Sequence, residues 1–279
     1  MRTIYVEELI DEIAQLCIKA NIDLPEDVRH IIELATVQED WETASHILLD
    51  IQKNYQLSEK NSLPICQDTG MALVFLEIGQ DVHLIGDIDA AIQAGIKKGY
   101  AKGYLRNSMV EDPLIRENTN DNTPALIYYD LVPGEKIKIT IAPKGFGSEN
   151  MSQIKMLKPS DGREGVENFI LQVVKEAGPN ACPPIIVGVG IGASFDRAAL
   201  LAKKALLLDL EKKNPNPYYA EMEESLLQKI NELGIGPQGF GGKTTALAVK
   251  ILPFATHIAG LPVAVNIQCH VARHATTFI

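Results

Sequence analysis

Asn180-Ala181-Cys182-Pro183-Pro184-Ile185-Ile186-Val187-Gly188-Val189-Gly190-Ile191-Gly192-Ala193 is the stretch on which the fold turns. Its apolar run from Ile185 to Val189 is strand-sized and reads as a buried strand. Ser194 is placed to cap a helix over Phe195–Leu208. Strand, glycines and helix in that order match a dinucleotide-binding fingerprint with alanine in the last place. The match fails beyond that helix, where no second strand ends in an acidic residue. Asp209 is at about the right distance, but it ends a helix. The glycines therefore read as close packing of a helix on a strand.

Upstream, the first sixty residues read as a helical region. Leu9, Ile10, Ile13, Leu16, Cys17 and Ala20 recur at helical spacing, and further helices fit Asp27–Val37 and Asp40–Tyr55. The texture then alternates. Strands are expected at Met71–Ile78, Ala125–Leu131 and Lys136–Ile141, the last two joined by Val132-Pro133-Gly134-Glu135. Asp87–Tyr104 suits a helix with Gly95, Gly99 and Gly103 on a close-packed side. Downstream, helices fit Arg163–Ala177 and Tyr218–Leu233, and strands fit Ala246–Leu252 and Pro262–Gln268. The pattern predicts a mixed α+β fold: a helical N-terminal region, then a mixed sheet flanked by helices, in one domain over 1–279 that is open to two lobes.

Nearly half of the 279 residues are apolar and the net charge is −10. An acidic chain of this kind argues against nucleic acid as the main partner, because phosphate binding needs a basic face. No apolar run reaches the length that spans a bilayer, and the acidic N-terminus lacks the features of a secretory signal. A cytoplasmic protein is expected.

The four cysteines, Cys17, Cys66, Cys182 and Cys269, form no CxxC pair. Cys17 lies on a helical apolar stripe and reads as a small core residue. The other three sit in turns beside strands, held by Pro64, Gly70, Pro183 and Pro184. Thiolates so placed suit an iron–sulfur cluster or zinc. Three ligands rather than four would leave one iron of a cluster open as a Lewis acid. Zinc sites usually contain a short-spaced ligand pair, which is absent. By spacing alone the metal signal is weak.

Gln67 and Asp68 follow Cys66 directly and would line its pocket, although Asp68 also suits an Asx turn. Arg106 could clamp a carboxylate, or be a solvated surface charge. The Gly145–Ser148 loop could offer N–H groups to an anion. His257, His270 and His274 carry no signal by pattern alone. Gly241-Gly242-Lys243-Thr244 looks like the end of a phosphate-binding loop. The first glycine of that motif would fall on Pro237, and a strand comes next where the motif needs a helix.

Four blocks together resemble the class I, iron–sulfur fumarase family, in the α or N-terminal catalytic part shared with L(+)-tartrate dehydratase. They are Pro64–Gly70, Lys144–Asn150, Asn180–Gly190 and Gly236–Thr245. The resemblance implies a hydro-lyase with a [4Fe–4S] cluster on Cys66, Cys182 and Cys269. It places substrate contacts on Gln67, Asp68, Arg106, Gly147 and His257, with Asp68 and His257 the catalytic candidates. It further implies a separate β subunit, a homodimer or α₂β₂ assembly, and a small dicarboxylate substrate. Fumarate and malate come first and tartrate second. A non-catalytic cluster scaffold or dicarboxylate sensor is the reading from another class.

Overall fold

A computed structural model of the chain describes residues 2–279. A short strand β1 (Arg2–Tyr5) precedes three helices, α1 (Leu9–Ile22), α2 (Glu26–Gln38) and α3 (Glu42–Asn61). Strands β2 (Met71–Gly79) and β3 (Val82–Ile85) lead to α4 (Ile88–Lys102), then β4 (Leu126–Val132) and β5 (Ile137–Lys144). A single turn, α5 (Phe146–Glu149), separates β5 from β6 (Gln153–Leu157). After α6 (Gly162–Ala177) come β7 (Ile185–Gly192), α7 (Phe195–Ala205) and α8 (Pro217–Asn231). Strands β8 (Ala246–Phe254), β9 (Leu261–Gln268) and β10 (Ala275–Phe278) complete the chain. The fold is mixed α+β, as the pattern predicts.

Contacts divide the chain into two compact units. One comprises Met1–Pro25, Asn54–Phe146 and Arg273–Ile279; the other comprises Glu26–Lys53 and Gly147–Ala272.

The first unit is built on a sheet of order β10-β5-β2-β4. β4 and β5, consecutive in the chain, do not pair with each other. β2 lies between them, parallel to β4 and antiparallel to β5. Alternation along β5 sends Ile137, Ile139 and Ile141 into the core, where they meet Leu9, Ile13 and Leu16 of α1 and Ile92, Ile96 and Tyr100 of α4. The two helices cross closely because α4 offers glycines. A Cβ on Gly99 would stand 2.8 Å from the Ala14 carbonyl and from Cys17 Cβ. Cys17 is fully buried in this seam, and burial pushes its thiol up to about 12. It is the small core residue its helical stripe predicts.

The second unit is built on a sheet of order β6-β9-β7-β8. Only β7 and β8 run parallel; β9 is antiparallel to both β6 and β7. Val187, Val189 and Ile191 face the core formed with α6 and α8. The alternate residues Gly188 and Gly190 face α7, so near that a Cβ on Gly190 would lie 2.1 Å from the Ala198 carbonyl. The glycine-rich strand thus serves helix packing, not a dinucleotide. Ser194 occupies the N-cap position of α7, but its hydroxyl bonds Asp196 Oδ1 at 2.6 Å instead of a helix N–H.

Candidate functional site: two loop clusters

In the first unit the Cys66–Gly70 turn is fastened from several sides. Asn21 O accepts from the Ile65 N–H at 2.9 Å, and Asn54 Nδ2 donates to Ile65 O at 2.9 Å. Gly70 has φ +76°, and a Cβ there would meet Lys144 N at 2.8 Å, so only glycine fits. The Tyr100 hydroxyl lies 3.0 Å from both the Thr69 and Gly70 carbonyls. Asp68 Oδ1 accepts from Gly70 N–H and its Oδ2 from Phe146 N–H, each at 2.9 Å. Asp68 is therefore the Asx-type turn residue its context suggests, and also a clamp on the start of the glycine loop.

Arg106 is brought to the same turn. Its N–H donates to Thr69 Oγ1 at 2.9 Å. The fully buried Asn122 joins the two segments again: its Oδ1 accepts from Ser108 N–H at 2.7 Å and its Nδ2 donates to Gly70 O at 3.2 Å. The side chains of Gln67 and Arg106 are exposed, and Cys66 and Asp68 are half-buried. The backbone of Arg106 is thus held beside the turn that carries Cys66, Gln67 and Asp68.

In the second unit, topology gathers a further set at one end of the sheet. Cys182 precedes β7, and Cys269 follows β9, the antiparallel neighbour whose Gln268 pairs with Ile186. The Gly236–Thr245 block enters β8 beside them, where Ala246 pairs with Ile185. The turn after Gly147 joins this end as well: Ser152 Oγ accepts from Ile267 N–H at 3.0 Å, and a Cβ on Gly147 would lie 3.8 Å from Asn180 O. Cys182 is exposed and has φ +54°, the left-handed region in which a side chain is strained and which concentrates at functional sites.

Gln238 and His270 connect the two cysteine loops. Both the N–H and the Nε2 of Gln238 donate to Pro183 O at 2.7 Å. His270 Nδ1 lies 3.2 Å from Gln238 Nε2 and 3.1 Å from Cys182 O. The Gly241–Thr244 block that resembles a phosphate loop already holds an anion of its own. The N–H groups of Lys243 and Thr244 donate to Glu39 Oε2 at 2.9 and 3.2 Å.

His257 lies elsewhere. It follows β8, whose far end pairs with Gly192, so it stands at the opposite end of the sheet from Cys182 and Cys269. Eight residues of strand separate those ends, about 26 Å at 3.3 Å per residue. A groove of about 720 Å³ between α2, α8 and β8 is lined by none of the predicted site residues.

The family profile described as fumarate hydratase (fumerase) matches residues 10–277. The chain belongs to the fumarate hydratase family. Among curated relatives, a Methanocaldococcus jannaschii protein named as a candidate L(+)-tartrate dehydratase α subunit is 43% identical over 275 residues, spanning 96% of both chains. The L(+)-tartrate dehydratase α subunit of Escherichia coli O157:H7 is 32% identical over 284 residues, 98% of this chain and 91% of that one. Its counterpart in Escherichia coli K12 is 31% identical over the same length. The fumarate hydratase family and these names make the chain the α subunit of a fumarate hydratase or tartrate dehydratase type of hydro-lyase.

Tested against the cluster that the fumarate hydratase resemblance implies, the donor set is compatible. Cys17 is excluded by burial, which leaves three thiols on loops. Among the described residues no three His, Cys, Asp or Glu side chains stand close enough to hold one metal ion. No helix among them is long and apolar enough to cross a membrane.

Thr69, Gln238 and Arg273 were not singled out from sequence, and only their closeness in sequence to Cys66, to the fourth family block and to Cys269 could have marked them.

Proposed function

We propose that the chain is the α subunit of an iron–sulfur dehydratase of small hydroxy-dicarboxylates, with L(+)-tartrate its first substrate and malate–fumarate the second reading. The observation that carries it is the pairing of Cys182 and Cys269 at one sheet end through His270 and Gln238, in a chain 43% identical to a relative given a tartrate dehydratase name. The motif blocks Gly147–Asn150 and Gly241–Thr245 keep fumarate as the alternative.

Cys66, Cys182 and Cys269 would hold a [4Fe–4S] cluster, which when bound supplies a Lewis-acidic iron for a substrate hydroxyl and carboxylate. The chain's own side chains do the orienting. Arg106 presents a planar fork of donors suited to one carboxylate, and Gln67 donates an amide N–H to the same group or its neighbour. The Gly147 N–H adds a backbone donor near the Cys182 loop. Donors fixed before reaction stabilise the charge that grows on a carboxylate as the proton beside it departs. Asp68, held by two backbone N–H groups, would move a proton at the leaving hydroxyl. The base that removes the carbon-bound proton comes from a β subunit, which the α-subunit names of the relatives support.

His257 stands about 26 Å from the cysteine end of its own sheet. Its substrate role therefore belongs to a site completed by a second copy of the chain, which gives the expected homodimer a specific reason. The deciding test is a panel of initial rates for the anaerobically reconstituted α–β complex with L(+)-tartrate, L-malate and fumarate. Turnover of L(+)-tartrate at least tenfold faster than that of the others supports the first reading. Preference for fumarate or malate supports the second, and binding without turnover would turn the protein into a sensor.

A further inference from the structure

Arg273 is 4% exposed, and its guanidinium lies in the first unit behind the Cys66 turn. Nη2 donates to the Asp68 carbonyl, while Nε and Nη1 have no hydrogen-bond partner among the described residues. The group is a permanent cation with five donors in a fixed fork. A buried charge of this kind is tolerated only where an opposite charge or a full set of acceptors faces it.

Among the described residues neither is in hydrogen-bond contact with Nε or Nη1. The Tyr100 hydroxyl bonds the next carbonyl of the turn, Thr69 O, but burial pushes its phenol well above its usual range, so it stays neutral. The Cys17 thiol beside Tyr100 is neutral for the same reason. Asp68 is close, yet its two oxygens face Gly70 N–H and Phe146 N–H and form no ion pair with Arg273. Asn21 Oδ1, also buried without a partner, is an uncharged acceptor. A water joining it to the guanidinium would satisfy a donor and leave the charge unbalanced.

We propose that Arg273 is a positioning residue whose free N–H groups bind an anion brought to the Cys66 turn, so that the loop reaches its final charge balance only when the site is loaded. This deepens the hydro-lyase reading and rests on it. Two sources carry that anionic chemistry: the sulfur of a cluster held by Cys66, whose three thiolates and sulfides outweigh the iron charge, and a carboxylate of the substrate.

The test compares wild type, Arg273→Met and Arg273→Lys as the full chain with its β partner. In the cluster-free chain, Arg273→Met melts at the wild-type temperature or higher, because an unpaired cation is removed. In the loaded complex, if the cluster is the anion, Arg273→Met loses its iron–sulfur absorbance to a chelator about tenfold faster, the scale of losing an outer partner of a metal site, and Arg273→Lys recovers most of it. If the substrate is the anion, cluster retention is unchanged and the Kd for L(+)-tartrate rises about tenfold instead. A lower melting temperature of cluster-free Arg273→Met, with cluster retention and Kd both unchanged, means a purely structural arginine and overturns the proposal. So does wild-type behaviour throughout. If wild type itself takes up no cluster, the cysteine reading fails separately. The anion site is then read from the thermal shift that L(+)-tartrate gives the cluster-free chain: a shift lost in Arg273→Met sustains it, and equal shifts overturn it.

Discussion

The Arg106 N–H donates to Thr69 Oγ1 at 2.9 Å, so a buried hydroxyl three residues past Cys66 sets where the arginine stands. Thr69→Val keeps the shape and removes the acceptor. The expected outcome is a several-fold rise in KM for the dicarboxylate, with iron content unchanged, since the tie is worth about 1 kcal/mol net. Steady-state kinetics of the reconstituted complex check this, and an unchanged KM would show that Arg106 is held by other means.

Glu39 anchors the Gly241–Thr244 block through the N–H groups of Lys243 and Thr244. Its carboxylate is buried, so Glu39→Ala strands at least two donors. A loss of about 2–4 kcal/mol is expected in chemical denaturation, at about 1–3 kcal/mol per unmet group with partial relief by water. Glu39→Gln, which keeps one acceptor oxygen, should lose less than half of that. Equal losses in the two variants would mean that the charge, not the hydrogen bonds, holds the loop.

Gly190 presses against α7, where a Cβ would stand 2.1 Å from Ala198 O and 2.7 Å from Ala202 N. Both neighbours are backbone atoms and cannot swing aside. Gly190→Val is therefore expected to cost about 3 kcal/mol or more, the upper range for overpacking. A denaturation midpoint equal to wild type would contradict the close packing described for β7 and α7.

His257 and Cys182 occupy opposite ends of one sheet. If a second copy supplies His257, then Cys182→Ser and His257→Ala are each inactive alone but complement when mixed. Random exchange of subunits in a two-fold dimer gives half mixed dimers with one intact site each, so about a quarter of wild-type activity is expected. No recovery after verified exchange would show that His257 does not reach substrate across the dimer.

The elements that sequence made legible are those whose burial writes a period into the chain. The stripe of α1, the alternation of β5 and the apolar run of β7 all lie over a core, and all three fall where the pattern puts them. The short strands β1, β3, β6 and β10, of four or five residues and largely exposed, leave no such trace. Pairing was also hidden. A short link between β4 and β5 suggests neighbours, yet β2 comes between them, because nothing local encodes which strand fills a gap. The same division holds for the site. Cys66, Gln67 and Asp68 are adjacent in sequence and stay together. The separation of His257 follows from the direction of β8, and the burial of Arg273 from packing, and neither can be read from a motif.

The central claim is that three loop cysteines, and not the buried fourth, hold the cofactor of a dehydratase. It is tested most directly by iron and sulfide content, with L(+)-tartrate dehydration, across Cys17→Ala, Cys66→Ser, Cys182→Ser and Cys269→Ser in the anaerobic α–β complex. Cys17→Ala is predicted to keep wild-type iron and turnover, and each of the other three to lose activity and labile or total iron. Full activity in any of those three would contradict the account.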